Sequence, residues 1–198
     1  QEAEGDPEPL PSIRGPYAAL LGLLADRGYG AHLPTEADST LRVSVPFCGR
    51  FHEYAVLGRF LEKHILSTGK ASTVSVLATE VCGHYAHDWG VAEKWYTRAN
   101  VGVELRTLVR DLAEDPLPVA GLILAIHPEA TRGGRWFQIV GSIIQSSTGV
   151  CVFATFYEVE MRTVVNMIGM HKASDTTVEV VENPHYKADE VPDHPPMR

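Results

Sequence analysis

Cysteine is scarce in this sequence. Its three residues, Cys48, Cys82 and Cys151, are odd in number and far apart. A disulfide framework needs pairs, so the expectation is reduced thiols in a cytoplasmic setting. The chain begins at Gln1 rather than Met, which leaves open a leader removed earlier. Long apolar runs are missing too, and none approaches the roughly 20 residues of a spanning helix. Positive charge is in short supply: 17 Lys and Arg stand against 25 Asp and Glu, a formal charge of −8. A nucleic-acid binder carries a basic patch. The basic residues between Arg98 and Arg110 and between Arg132 and Arg135 are too sparse for one. An acidic surface also argues against anionic membranes.

The common metal and nucleotide signatures are absent as well. There is no C-x-x-C pair, and His52-Glu53 lacks the second histidine of H-E-x-x-H. His127-Pro128-Glu129 has the H-x-E of zinc deaminases, but no P-C-x-x-C follows. Ser67-Thr68-Gly69-Lys70 lacks the upstream glycine of a phosphate loop. Gly141-Ser142 is expected within a strand rather than on the sharp strand-to-helix turn of a nucleophilic serine. No internal repeat is visible.

What is present is the composition of a globular chain, 44% hydrophobic and 21% charged, enough for one core. The expected layout is an acidic, proline-rich N-terminal tail over 1–15, a single domain over 16–182, and an extended proline-rich tail over 183–198. Pro16 opens a helical pattern with Tyr17, Leu20, Leu21 and Leu24 on one face, ended by Gly28. Residues 40–46 alternate as a half-buried strand, and 51–66 have helical spacing. Residues 71–82 read as a second strand. Residues 91–114 read as a long helical segment, with Asn100 and Gly102 as a place for an interruption and Leu105, Leu108, Val109 and Leu112 as its stripe. Residues 119–127, VAGLILAIH, form an apolar run short enough for a buried strand. Residues 164–170 fit helix or strand, and 176–181 look like a last edge strand.

The longest apolar region, from Arg135 to Met161, reads as two strands around Ser146-Ser147-Thr148-Gly149. Strands apolar on both faces are usually central and covered on both sides. The fold class expected is therefore α/β or α+β. Helix-linked strands, then an antiparallel hairpin, would make a mixed central sheet with helices packed on it.

Chemistry concentrates at Glu80-Val81-Cys82-Gly83-His84-Tyr85-Ala86-His87-Asp88. Along a strand, alternate residues share a face. Glu80, Cys82 and His84 would then extend the face of Val74, Val76 and Ala78. If the strands ending near Cys82 and His127 are parallel, His127 and Glu129 approach this cluster at the carboxyl edge, where open α/β sheets bind ligands. Three readings compete. One is a metal site of Cys82, His84, His87 or His127 with a carboxylate. The second is metal-free thiol or acid–base catalysis by Cys82, His84, Asp88 and His127, with Glu80 orienting. The third is structural: a buried thiol, a helix cap at Asp88, and histidines in a solvated turn.

The function expected is a small-molecule-binding enzyme using acid–base or thiol chemistry at this cluster. The alternative is a non-enzymatic binding or assembly module working through the hairpin flank and the C-terminal tail. A small-molecule ligand and a homo-oligomer are the expected partners, with no nucleic acid and no membrane. The sequence points to no particular cofactor.

Overall fold

Five strands make the centre of the molecule, and all of them are parallel. The computed structural model describes residues 11–33, 39–99, 102–126, 135–155 and 158–181, with side chains from Tyr17 onward. The strands are β1 (Thr40–Pro46), β2 (Thr73–Glu80), β3 (Val103–Val109), β4 (Ala120–Ile126) and β5 (Ser147–Ala154). Their order across the sheet is β3-β2-β1-β4-β5. Helices α1 (Pro11–Asp26), α2 (Tyr54–Leu61), α3 (Ala86–Ala99), α4 (Trp136–Gln145) and α5 (Glu158–His171) complete the fold. It is a single α/β domain. No helix among the described residues is long and apolar enough to cross a membrane.

Burial explains the layering. Leu122 and Leu124 of β4 join the core beneath α1, α2 and α3, while Ile123 and Ala125 join a second core that includes Ile143 of α4. A strand covered on both faces needs no polar alternation, which is why residues 120–126 read as a continuous apolar run. Gly58 lets α2 and α3 close on each other. A Cβ there would lie 2.7 Å from the Trp95 ring. Trp89, Trp95 and Tyr96 are core residues of α3, as their helical spacing suggests.

The mixed sheet expected from the sequence is overturned. Trp136–Gln145 is helix rather than the first arm of a hairpin, and β5 pairs parallel with β4. The physical reason is the helical period inside the run: Trp136, Val140 and Ile143 fall at i, i+4 and i+7, and Val140 and Ile143 are fully buried. Ser147-Thr148-Gly149 starts β5 instead of turning. The long helical segment is also divided. α3 ends at Ala99, and Val103–Val109 is β3, so Leu105, Leu108 and Val109 belong to a strand.

Smaller differences follow. The first helix begins at Pro11 rather than Pro16. The second strand stops at Glu80, not Cys82. The helix after β1 continues past Leu61 as a π-helical turn, Glu62–Leu66. Residues 164–170 lie in helix α5. Residues 176–181 are not a strand. Glu179 there accepts hydrogen bonds from Arg27 and Tyr29, tying this stretch to the end of α1. The tail expected at 183–198, most of the tail expected at 1–15, and the loop 128–134 lie outside the described residues.

Candidate functional site

The strand order places one crevice. From β1 the chain winds through α2 to β2 and α3 to β3, then returns to β4 on the other side of β1 and continues through α4 to β5. The winding direction therefore reverses between β1 and β4. In open α/β sheets that switch point, outside the carboxyl ends of the strands, is where ligands bind.

The loop that leaves β1 at this point is unusual. Phe47, Gly49 and Phe51 have φ of +60°, +51° and +56°. Positive φ is easy for glycine and strained for phenylalanine. Strain of this kind persists only where surrounding contacts hold it, and it gathers at functional loops. Those contacts are visible. Cys48 N–H donates to the Thr79 carbonyl at 3.1 Å, and Phe51 N–H to the Cys48 carbonyl at 2.7 Å. Trp89 Nε1–H donates to the Gly49 carbonyl at 2.8 Å, pinning the loop to α3. Phe47 reaches across the switch point to Trp136 at the start of α4, with ring centroids 5.2 Å apart.

Glu80 anchors the other side of the loop. It is the last residue of β2, and its Oε2 accepts from Gly49 N–H at 3.0 Å while Oε1 accepts from Val81 N–H at 2.8 Å. Both bonds use backbone donors, which fix the direction of the carboxylate. Each oxygen keeps a second lone pair for another donor. Val81 and Val109 flank it at the ends of β2 and β3, exposed by 62% and 59%. Two bare valines beside a fixed carboxylate give this edge an apolar shelf next to a hydrogen-bond acceptor.

Glu53 stands at the N-cap of α2, just beyond the loop. Burial pushes its carboxyl up to about 7. On α1, Tyr17 is buried with its hydroxyl unpartnered among the described residues. Burial first, and then the charge of Glu53, raise that phenol well above its ordinary value. Burial also lifts the Cys48 thiol to about 12, helped by the negative charges of Glu80 and Glu53. Cys151 is likewise lifted to about 12 by burial. Neither is an activated thiol.

The sequence-chosen cluster is only partly gathered. Glu80 lies in the crevice. Because β2 ends there and Gly83–Tyr85 turns as a 3-10 helix, the strand alternation invoked for Cys82 and His84 does not continue. Cys82 is half-buried, while His84 and His87 are exposed. Asp88 sits in the first turn of α3 rather than at its cap. β2 and β4 are parallel on either side of β1, so their carboxyl ends do share an edge. His127 and Glu129 lie outside the described residues. Among the described residues, no three His, Cys, Asp or Glu side chains are grouped to hold a metal ion.

No family model matches the chain, and no curated protein matches it. Solved structures do. The DszA carbon methyltransferase aligns over 75% of this chain and 36% of its own, at 14% identity and a TM-score of 0.45. The StiE O-MT aligns over 66% and 44%, at 13% identity and a TM-score of 0.43. PKMT2 from Rickettsia typhi, solved with AdoHcy, aligns over 72% and 25%, at 17% identity and a TM-score of 0.41. The chain thus spans less than half the length of each. At this distance the likeness assigns no function.

The Phe47–Phe51 loop is what the sequence reading missed. Gly49 is its single glycine, and nothing in the sequence marks Phe47 and Phe51 for positive φ. What marks the loop is the sheet order, which puts the end of β1 at the switch point and which local pattern does not give.

Proposed function

We propose that this chain binds an S-adenosyl nucleoside at the carboxyl edge of β1 and β2 and uses it as a methyl donor to a small acceptor. The observation that carries the reading is Glu80, held at the end of β2 against the Gly49 loop. A carboxylate in that position of a doubly wound sheet accepts from ribose hydroxyls. Val81 and Val109 provide the apolar surface a purine needs beside it. Phe47 and Trp136 wall the β4 side.

The choice of nucleoside comes from electrostatics. A dinucleotide rests its pyrophosphate on a glycine-rich turn and a helix N-terminus. Here the turn, Pro46-Phe47-Cys48-Gly49-Arg50-Phe51-His52-Glu53, has one glycine and ends in a carboxyl at the N-cap of α2. That end of α2 opposes phosphate once Glu53 is ionised. An S-adenosyl methyl donor has no phosphate and carries a positive sulfonium; its demethylated product, AdoHcy, keeps the adenosine without phosphate and has an uncharged thioether sulfur.

When bound, such a group supplies an electrophilic methyl. The chain's own residues do the rest. Glu80 orients the ribose, Trp89 keeps the loop closed through the Gly49 carbonyl, and Glu53 is able to take a proton near neutral pH. Glu80 thereby replaces its earlier role of orienting His84, and Cys82 borders the site without acting as nucleophile.

Isothermal titration with AdoHcy and, separately, NAD⁺ tests this. AdoHcy is expected to bind with a Kd of roughly 1–100 μM and NAD⁺ not measurably, since desolvating phosphate against Glu53 costs affinity. Tight NAD⁺ binding with none for AdoHcy would overturn the choice of nucleoside.

A further inference from the structure

On the sheet face covered by α4, a cavity of about 320 Å³ lies between α4, the end of α5 and the segment after β3. We infer that it is a second binding site, for a small uncharged aromatic molecule bearing a hydroxyl group. This inference is independent of the S-adenosyl reading.

The walls set the ligand class. Among the described residues, none that lines it is Asp, Glu, Lys or Arg. Such a lining favours an uncharged ligand over an ion. Leu112, Pro116 and Phe137 give apolar area, and the volume suits a single ring near the lower end of small-molecule sites. The Phe137 ring lies 4.1 Å from the imidazole of His171, so one wall is aromatic.

Two polar atoms in the lining fix the second half of the proposal. Ser142 Oγ and His171 Nε2 are both buried with no hydrogen-bond partner among the described residues. Leaving either atom unsatisfied is unfavourable. A hydroxyl satisfies both at once: its O–H donates to an imidazole nitrogen, and its oxygen accepts from Ser142.

The sequence contains a matching irregularity. Gly141 is in the interior of α4, where glycine weakens a helix relative to alanine. A Cβ at that position would meet His171 Cε1 at 2.6 Å and Nδ1 at 2.8 Å. Gly141 is therefore what lets the imidazole lie flat against α4 beside Ser142.

The test uses p-cresol and toluene, which share a ring and a methyl group and differ by one hydroxyl. The carbon-bound ring protons of His171 are followed by NMR as each is titrated into the full chain. p-Cresol is expected to shift them saturably at millimolar concentration or below. Toluene, and p-cresol with Ser142→Ala, are each expected to bind about fivefold or more weakly, the worth of one hydrogen bond. Absence of a saturable His171 shift overturns the site. Equal binding of toluene and p-cresol overturns the hydroxyl class, and that comparison stands in the wild-type chain even if Ser142→Ala does not fold.

Discussion

Glu53 is the residue whose charge the fold controls most directly. Burial moves its carboxyl from the ordinary 4.5 to about 7. Between those values the folded chain binds more protons than the unfolded one. The contribution of Glu53 to stability is therefore full below about 4.5, falls as pH rises toward 7, and is flat above that. Glu53→Gln removes the dependence. Urea denaturation at pH 5 and pH 8 is expected to show the variant gaining on the wild type at the higher pH, on the order of 1 kcal/mol. An identical difference at both values would mean that the Glu53 carboxyl is solvated. The same residue shows the limit of reading chemistry from spacing. His52-Glu53 was weighed as a fragment of a zinc motif, whereas its importance comes from ending the β1–α2 loop. No local pattern announces that burial. Glu80 was legible as a carboxylate at a strand end, yet its partner Gly49 lies 31 residues earlier, and only the pairing of β1 with β2 joins them.

Elements were legible in proportion to how clean their period is. β1 and β4 were readable, the first by alternation and the second as a short apolar run. β3 also alternates, with Val103 and Leu105 against Glu104 and Arg106, and burial follows that pattern. It was hidden because the helical stripe of α3 runs straight into it, with Gly102 at φ +69° as the break. α4 was hidden for the opposite reason. Its Trp136–Gln145 run is apolar nearly all round, so periods of 2 and 3.6 fit about equally. The expected antiparallel hairpin followed from that one misreading, since a helix between β4 and β5 makes the two strands parallel. Packing between elements gives a direct check. Gly58 on α2 faces Trp95 and Tyr96 of α3 so closely that a Cβ would sit 2.7 Å from one ring and 3.2 Å from the other. Gly58→Ala gains helix propensity but must push α2 and α3 apart. Chemical denaturation is expected to show a net loss of about 1–3 kcal/mol. A neutral or stabilising result would contradict the close α2–α3 contact.

At the scale of the whole molecule, a parallel sheet with one reversal of winding has one place where two loops diverge, and the strained Phe47–Phe51 loop occupies it. Three elements converge there: β1 brings the loop, β2 brings Glu80, and α3 brings the Trp89 indole that clamps the loop from behind. Sheet order was the quantity the sequence could not supply, because strand partners are set by long-range packing rather than by local pattern. Once the order is known, the crevice falls at Glu80, the first residue of the Glu80–Asp88 cluster, and the loop beside it, and the proposed site is drawn there. The most direct measurement is AdoHcy affinity by titration calorimetry for the wild-type chain and Glu80→Ala, with unfolding curves taken alongside. The expected result is binding by the wild type and a loss of about tenfold or more in the variant, in line with removing charge-assisted hydrogen bonds. Unchanged AdoHcy affinity in a folded Glu80→Ala chain, or no binding by the wild type at millimolar ligand, would contradict the assignment of this edge as an S-adenosyl site.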